Sequence, residues 1–158
     1  MITPDQNDKL WALIKGMRTG MLVTQGEFLH ARPMGLLQKD FQGILWFFTD
    51  KNSPKAEEIK NNPEVCIAFG DSSADDFVSL TGYASFSDNR AKIDELWSPV
   101  AGVYFKGKDD PDLILLQIDV QRAEYWDSKS NKMVQIFEMI KAGLTGKQAD
   151  LGENRKFD

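Results

Sequence analysis

The sequence is almost without cysteine and histidine. One Cys, Cys66, and one His, His30, occur in 158 residues. A lone cysteine excludes an internal disulfide and suits a reducing, cytoplasmic compartment. One Cys and one His also leave no cluster for zinc or another transition metal. No apolar stretch approaches the roughly 20 residues of a membrane span. The opening Met1-Ile2-Thr3-Pro4-Asp5 lacks the basic start and apolar run of a secretion signal. Positive charge is in the minority, with 19 Lys and Arg against 24 Asp and Glu and a net charge of −5. That balance speaks against generic attraction to nucleic acid or anionic lipid. An anionic ligand would need cations or backbone donors gathered locally. No G-x-G-x-x-G or G-x-x-x-x-G-K-[ST] follows a strand, and no serine sits in G-x-S-x-G. Dinucleotide, P-loop and serine-nucleophile sites therefore have no support.

What is present is an ordinary globular composition, 42% hydrophobic and 11% aromatic, at a length that suits one domain over 1–158. Leu10, Leu13, Ile14 and Met17 recur at helical spacing and predict a helix from Asp5 to Met17. Gly20 to Thr24 and Phe28 to Leu37 read as strands around a turn at Gln25-Gly26-Glu27. Gly43 to Thr49 reads as a third strand. Ser53-Pro54-Lys55 opens a helix to about Asn61, with serine as N-cap and proline at the first helical position. Strands are predicted at Glu64 to Gly70, at Phe77 to Ser87 with a bend or bulge at Gly82, at Asp112 to Asp119, and at Ala123 to Asp127. Asp88 is expected to cap a helix reaching about Trp97, and Val100 to Pro111 to form a loop. Lys129 to Ala142 is the last predicted helix, and the polar tail from about 143 is expected to be loosely held. Strands dominate and their links are short. The pattern favours an antiparallel barrel with peripheral helices over a parallel doubly wound sheet.

Two segments carry the chemistry. In Thr49-Asp50-Lys51-Asn52-Ser53-Pro54-Lys55 an aromatic strand turns into a capped helix. A helix N-terminus offers unpaired N–H groups and partial positive charge. Acids normally occupy that first turn, yet Lys55 stands there, and a bound phosphate would turn its mild repulsion into attraction. Thr49 and Ser53 could add hydroxyl hydrogen bonds. The plainer alternative is a solvated lysine beside an ordinary cap. In His30-Ala31-Arg32-Pro33-Met34, alternation puts His30, Arg32 and Met34 on one strand face. Pro33 marks an edge or a bulge, since it cannot donate to a ladder. Arg32 could meet a phosphate with its planar fork, or simply sit exposed on an edge strand. Trp126 could flank a flat ring, although strand aromatics are more often core. Cys66 reads as a small buried hydrophobe.

Taken in order, the segments resemble a known family. They include Met21-Leu22-Val23-Thr24, His30-Ala31-Arg32-Pro33-Met34, Leu45-Trp46-Phe47-Phe48-Thr49, Ser53-Pro54-Lys55 and Asn62-Pro63-Glu64-Val65. They continue through Gly82-Tyr83-Ala84, Leu96-Trp97-Ser98-Pro99, Gly107-Lys108-Asp109-Asp110-Pro111, Ala123-Glu124-Tyr125-Trp126-Asp127 and Gly152-Glu153-Asn154. The chain resembles the FMN-binding general stress proteins of the pyridoxamine-5'-phosphate-oxidase-like split-barrel superfamily. The resemblance implies a split β-barrel, bound FMN and a homodimer with flavin clefts between subunits. It implies that Arg32, Pro33 and Met34 lie along the flavin and that Phe48 and Thr49 contact ring and phosphate tail. Ser53 and Lys55 would hold the phosphate, and Trp126 would approach from the partner chain. Asp127-Ser128-Lys129-Ser130-Asn131-Lys132 stands where the oxidases carry an Arg-x-His substrate clamp, so vitamin B6 oxidation is not expected. Tyr104-Phe105-Lys106 also departs from the Trp-Phe-Pro often found in the stress-protein group. The expected activity is a flavin-dependent oxidoreductase or, alternatively, a flavin-binding stress or storage protein without turnover.

Overall fold

A computed structural model describes residues 2–128 and 152–157. Helix α1 (Pro4–Ile14) begins at a capping box: Gln6 N–H donates to Thr3 Oγ1, and Thr3 N–H donates to Gln6 Oε1. This Thr-x-x-Gln start satisfies two end donors reciprocally. The helix stops at Lys15, before the predicted Met17, and buries Leu10 and Ile14. Strands β1 (Thr19–Gln25), β2 (Leu29–Gly35) and β3 (Ile44–Asp50) follow. Helix α2 (Pro54–Asn61) has Ser53 as N-cap, as its sequence predicts. Strands β4 (Glu64–Asp71) and β5 (Asp76–Ser87) lead to helix α3 (Arg90–Leu96). Its cap is Asn89 rather than Asp88, because Asn89 Oδ1 is the atom that accepts from Lys92 N–H. A single 3₁₀ turn (Ala101–Val103) interrupts the loop before β6 (Leu113–Ser128), and β7 is Gly152–Phe157.

All pairings are antiparallel, in the order β2-β1-β4-β5-β6-β3, with β7 added on β6. The 12-residue β5 and 16-residue β6 form the long central pair. β3 takes the first half of β6 and β7 the second. β2 and β3 stand at the two ends of the order, and no ladder joins them. Their seam is closed instead by a side chain. Trp46 N–H donates to Gln38 Oε1 (2.8 Å), Gln38 Nε2 donates to Ile44 C=O (2.6 Å), and Leu37 N–H reaches Trp46 C=O (3.4 Å). The amide of Gln38 thus serves two backbone groups of β3 as a strand residue would. β2 as a terminal strand agrees with its internal Pro33.

Alternation along the strands sends Leu22, Leu45, Phe47, Ile67, Leu80 and Ile118 into the barrel, where each is fully buried. Burial on that scale contributes about 1.5–3 kcal/mol per side chain. A second, smaller core lies on the other side of β3 and β6. There Ile93 and Leu96 of α3 meet Leu113 and Leu115, with Phe48, Trp97 and Phe105 packed against them.

Three expectations need correction. The strands predicted at Asp112 to Asp119 and Ala123 to Asp127 are one strand, β6. A bulge carries it through: Thr81 pairs Arg122 while Gly82 pairs Val120, leaving Gln121 extra. The tail is not loose throughout, since Gly152–Phe157 pairs with β6. Cys66 is not in the core. Its neighbours Val65 and Ile67 point inward, so Cys66 faces the outer side, half-buried, with Ser79 Oγ at 3.4 Å. The predicted helix at Lys129 to Ala142 lies outside the described residues.

The bulge depends on Gly82. A Cβ there would stand 2.2 Å from the carbonyl oxygen of Asp119, a backbone atom that cannot swing aside. Gly82→Ala is therefore expected to destabilise the fold by about 3 kcal/mol or more, at the upper end of overpacking costs. Urea unfolding of the variant checks it, and an unchanged midpoint would contradict this account.

Candidate functional site

The first turns of α2 lie beside the β1–β2 hairpin, and the polar residues of the inner face converge there. Lys55 and Glu58 are three apart on the helix and share a side. Ala56 and Ile59, one position on from each, are buried beneath. Glu58 ties three strand residues to the helix. Its Oε2 accepts from Thr24 Oγ1 on β1 (2.6 Å) and from Arg32 Nη2 on β2 (3.0 Å). Its Oε1 lies 3.0 Å from His30 Nδ1. Register explains the convergence: Thr24 pairs His30 and Leu22 pairs Arg32, so all these side chains stand on one face of the hairpin. Gly26, in the turn, closes over the carboxylate, and a Cβ there would stand 3.0 Å from Glu58 Oε1.

These bonds hold the Glu58 carboxyl down at about 2, the Thr24 hydroxyl contributing most, with Arg32 and His30 adding to it against the cost of burial. Hydrogen bonds to the charged form favour it. Lys55 Nζ donates to Thr49 Oγ1 on β3, and Thr49 is itself buried. Burial lowers the Lys55 pKa, the Arg32 charge lowers it further, and Asp50 acts in the opposite sense. Among the described residues no carboxylate is in ion-pair contact with Lys55. Arg32 Nη1 is buried and has no hydrogen-bond partner among the described residues. Two cations, an orphaned guanidinium N–H and a helix N-terminus thus have one carboxylate in contact, Glu58, and it is already committed to three partners. An anion would satisfy the orphaned donor and relieve the repulsion between Arg32 and Lys55. An open cavity of about 480 Å³ on the hairpin side of α2 is lined by Glu27, Glu57 and Glu58, among others. Its acidity makes it unsuited to an anion.

The structure gathers some of the expected residues and separates others. Arg32, Thr49 and Lys55 belong to this cluster, and Ser53 caps the helix that carries Lys55. Pro33 is exposed on the outer side of β2. The Met34 side chain is buried in the barrel core, leaving its main chain as the accessible part. Phe48 points to the opposite side of β3, its ring centroid 5.7 Å from Trp97 and 6.4 Å from Phe105. Trp126 is 41% exposed on the outer face of β6, directly opposite Phe77 of β5. The expectations for Phe48 and Trp126 therefore concern surfaces other than the Arg32–Lys55 cluster of the same chain. Glu58 and Thr24 were not singled out from the sequence. Lys55-x-x-Glu58 on a capped helix carried a signal, but Thr24 became visible only through register.

The chain matches the family described as "Pyridoxamine 5'-phosphate oxidase like" over residues 5–150, and it belongs to that family. General stress protein 26 of Bacillus subtilis (strain 168) is 39% identical over 74 residues, 45% of this chain. The match covers 53% of that curated relative, about half its length. A general stress FMN/FAD binding protein from Xanthomonas citri is 34% identical, with a TM-score of 0.72 over 82% of this chain and 93% of that one. The General Stress Protein 26 from Bacillus anthracis str. Sterne is 27% identical, with a TM-score of 0.69 over 76% and 92%. The antiparallel sheet and peripheral helices are thus those of the split-barrel proteins expected from the sequence.

The held carboxylate has a pH signature. Glu58 titrates at about 2 in the fold against an ordinary 4.5. The unfolded chain takes up the proton first, so the stabilisation is full above about pH 4.5 and is lost as pH falls through about 2. Stability of Glu58→Gln should fall less steeply than that of the unaltered protein across this window. Urea unfolding at several acid pH values measures it, and parallel slopes would show that the carboxylate is not so held.

Proposed function

We propose that this protein binds FMN, its phosphate held at the start of α2 by Arg32, Lys55, Thr49 and Ser53. The observation that carries the reading is the buried Arg32 Nη1, without a partner among the described residues, beside Lys55, which has no carboxylate in ion-pair contact there. Each charge-assisted hydrogen bond to phosphate contributes about 1.5–3 kcal/mol. The flavin ring would take hydride or electrons, and the chain's part is to bind and orient it. A reducing, cytoplasmic setting belongs to the same reading and rests on the lone cysteine.

The second half of the reading is a homodimer with flavin clefts at the interface. Met21, Phe77, Tyr83 and Trp126 are all 41% exposed or more on the strands' outer sides. Phe77 and Trp126 stand side by side there. Such a face suits burial against a second copy. It would also let Trp126 of one subunit serve the other's cleft, in keeping with its place on the outer face of its own sheet. Pro33 and the Met34 main chain, on the edge strand, would border the same cleft. Light scattering should return a dimer, and a flavin-saturated monomer would contradict it.

Flavin-dependent oxidoreduction is the activity this arrangement serves. A storage or buffering role without turnover is the alternative, and one observation favours it. The carboxylate of the cluster, Glu58, is held at about 2 and is too weak a base for proton transfer near neutrality. Anaerobic bleaching of bound flavin by NADH or NADPH, then reoxidation by an acceptor, distinguishes the two.

FMN should bind more tightly than riboflavin, and the purified protein should show the absorption bands of oxidised flavin. Lys55→Ala should weaken FMN by about 1–3 kcal/mol, less at high salt, and leave riboflavin nearly unaffected. Titration with both ligands tests this. Equal losses for the two would mean that Lys55 does not act on the phosphate.

A further inference from the structure

We infer that Glu58 is a positioning residue for the phosphate site: it pins one nitrogen of the Arg32 guanidinium and leaves the other free for the anion. The inference rests on the FMN reading above and extends it to a residue of opposite charge. Judged by charge alone, Glu58 should harm phosphate binding, since a carboxylate beside Arg32 competes for it. The geometry argues the reverse. Arg32 Nη2 is bound to Glu58 Oε2 at 3.0 Å, whereas Nη1 is buried with no partner. A guanidinium is a rigid planar fork, so fixing one nitrogen fixes the direction of the other. The anchor is itself immobile. Thr24, 1% exposed, holds Oε2 at 2.6 Å, His30 lies against Oε1, and Gly26 closes over the carboxylate. With its bonds to Thr24, His30 and Arg32 made, Glu58 has little left to offer Lys55. Glu58 thus orders Arg32 before the ligand arrives, so that less ordering is lost on binding.

Glutamine can replace this carboxylate without loosening Arg32. Its single oxygen can take the Oε2 position and accept from Thr24 and Arg32, and its amide can donate to a neutral His30 Nδ1. Aspartate keeps the charge but is one methylene too short to reach from α2. The test is therefore the ratio of FMN to riboflavin affinity, by titration of the full chain, in the unaltered protein and in Glu58→Gln, Glu58→Asp and Glu58→Ala. Positioning predicts that Gln keeps the ratio within about threefold, whereas Asp and Ala lower it about tenfold or more. A ratio that rises in both Gln and Ala would overturn the inference and make Glu58 a mere opposing charge. Equal loss of both flavins in Asp and Ala would also overturn it, leaving a structural staple, and so would an unchanged ratio in Ala. Should Ala fail to fold, the contrast between Gln and Asp decides. A protein that binds flavin but does not prefer FMN to riboflavin would instead sink the phosphate reading, a result separate from any of these.

Discussion

Glu58 is where helix α2, strand β1 and strand β2 meet, and most of what the site can do follows from that junction. A half-buried carboxylate is costly unless its oxygens are bonded. Here Thr24, His30 and Arg32 meet the requirement together, and the cost becomes an anchor. The helix is thereby set beside the hairpin. Its N-terminus and Lys55 are brought to Arg32 and Thr49, residues 17 positions apart on strands at opposite ends of the sheet order. Without the Glu58 side chain, the Arg32 guanidinium would lose the bond that fixes its direction at the helix start.

The barrel supplies the frame for this junction and the split supplies the room. A closed ladder between β2 and β3 would have paired their backbones along their length. Instead the seam is bridged around Gln38 and Trp46, and neither strand is laddered to the other. The Lys55–Thr49 bond and the Arg32–Glu58 pair each join α2 to one of these two strands. The outer face of the same sheet bears the exposed aromatics, while the charged cluster stands at one margin of an inner face that is otherwise apolar core.

Local signals were read well wherever a residue's neighbours in sequence are also its physical partners. Ser53-Pro54 marked the start of α2, alternation marked the strands, and Pro33 marked an edge. Gly82 marked the bulge, yet the bulge misled at its other half. Val120-Gln121-Arg122 looks like a break, but the extra residue, Gln121, is taken up as a bulge within β6 and not by a turn. The outward side of Cys66 is hidden in sequence for a related reason: a run such as Val65-Cys66-Ile67-Ala68 does not say which alternate residues face inward until β4 is paired. The site was half legible. Arg32, Thr49, Ser53 and Lys55 stand in segments with a local argument for an anion. Glu58 and Thr24 matter only because the fold brings residues 34 positions apart to 2.6 Å. Phe48 and Trp126 carried no local sign of the surface they would occupy.

Pro33 has a consequence beyond marking an edge. An edge strand exposes a row of donors and acceptors on which a strand from another molecule can build. On β2 that row has a gap at its third position from the end, where the proline nitrogen carries no hydrogen. An incoming strand would lose a rung there and meet a ring in its place. Continuous extension of the sheet from molecule to molecule is thus blocked on this side, which protects the hairpin from fibre-like growth. In the proposed homodimer, copies of the chain would meet instead through their broad outer sides, and an isologous contact of that kind closes at two.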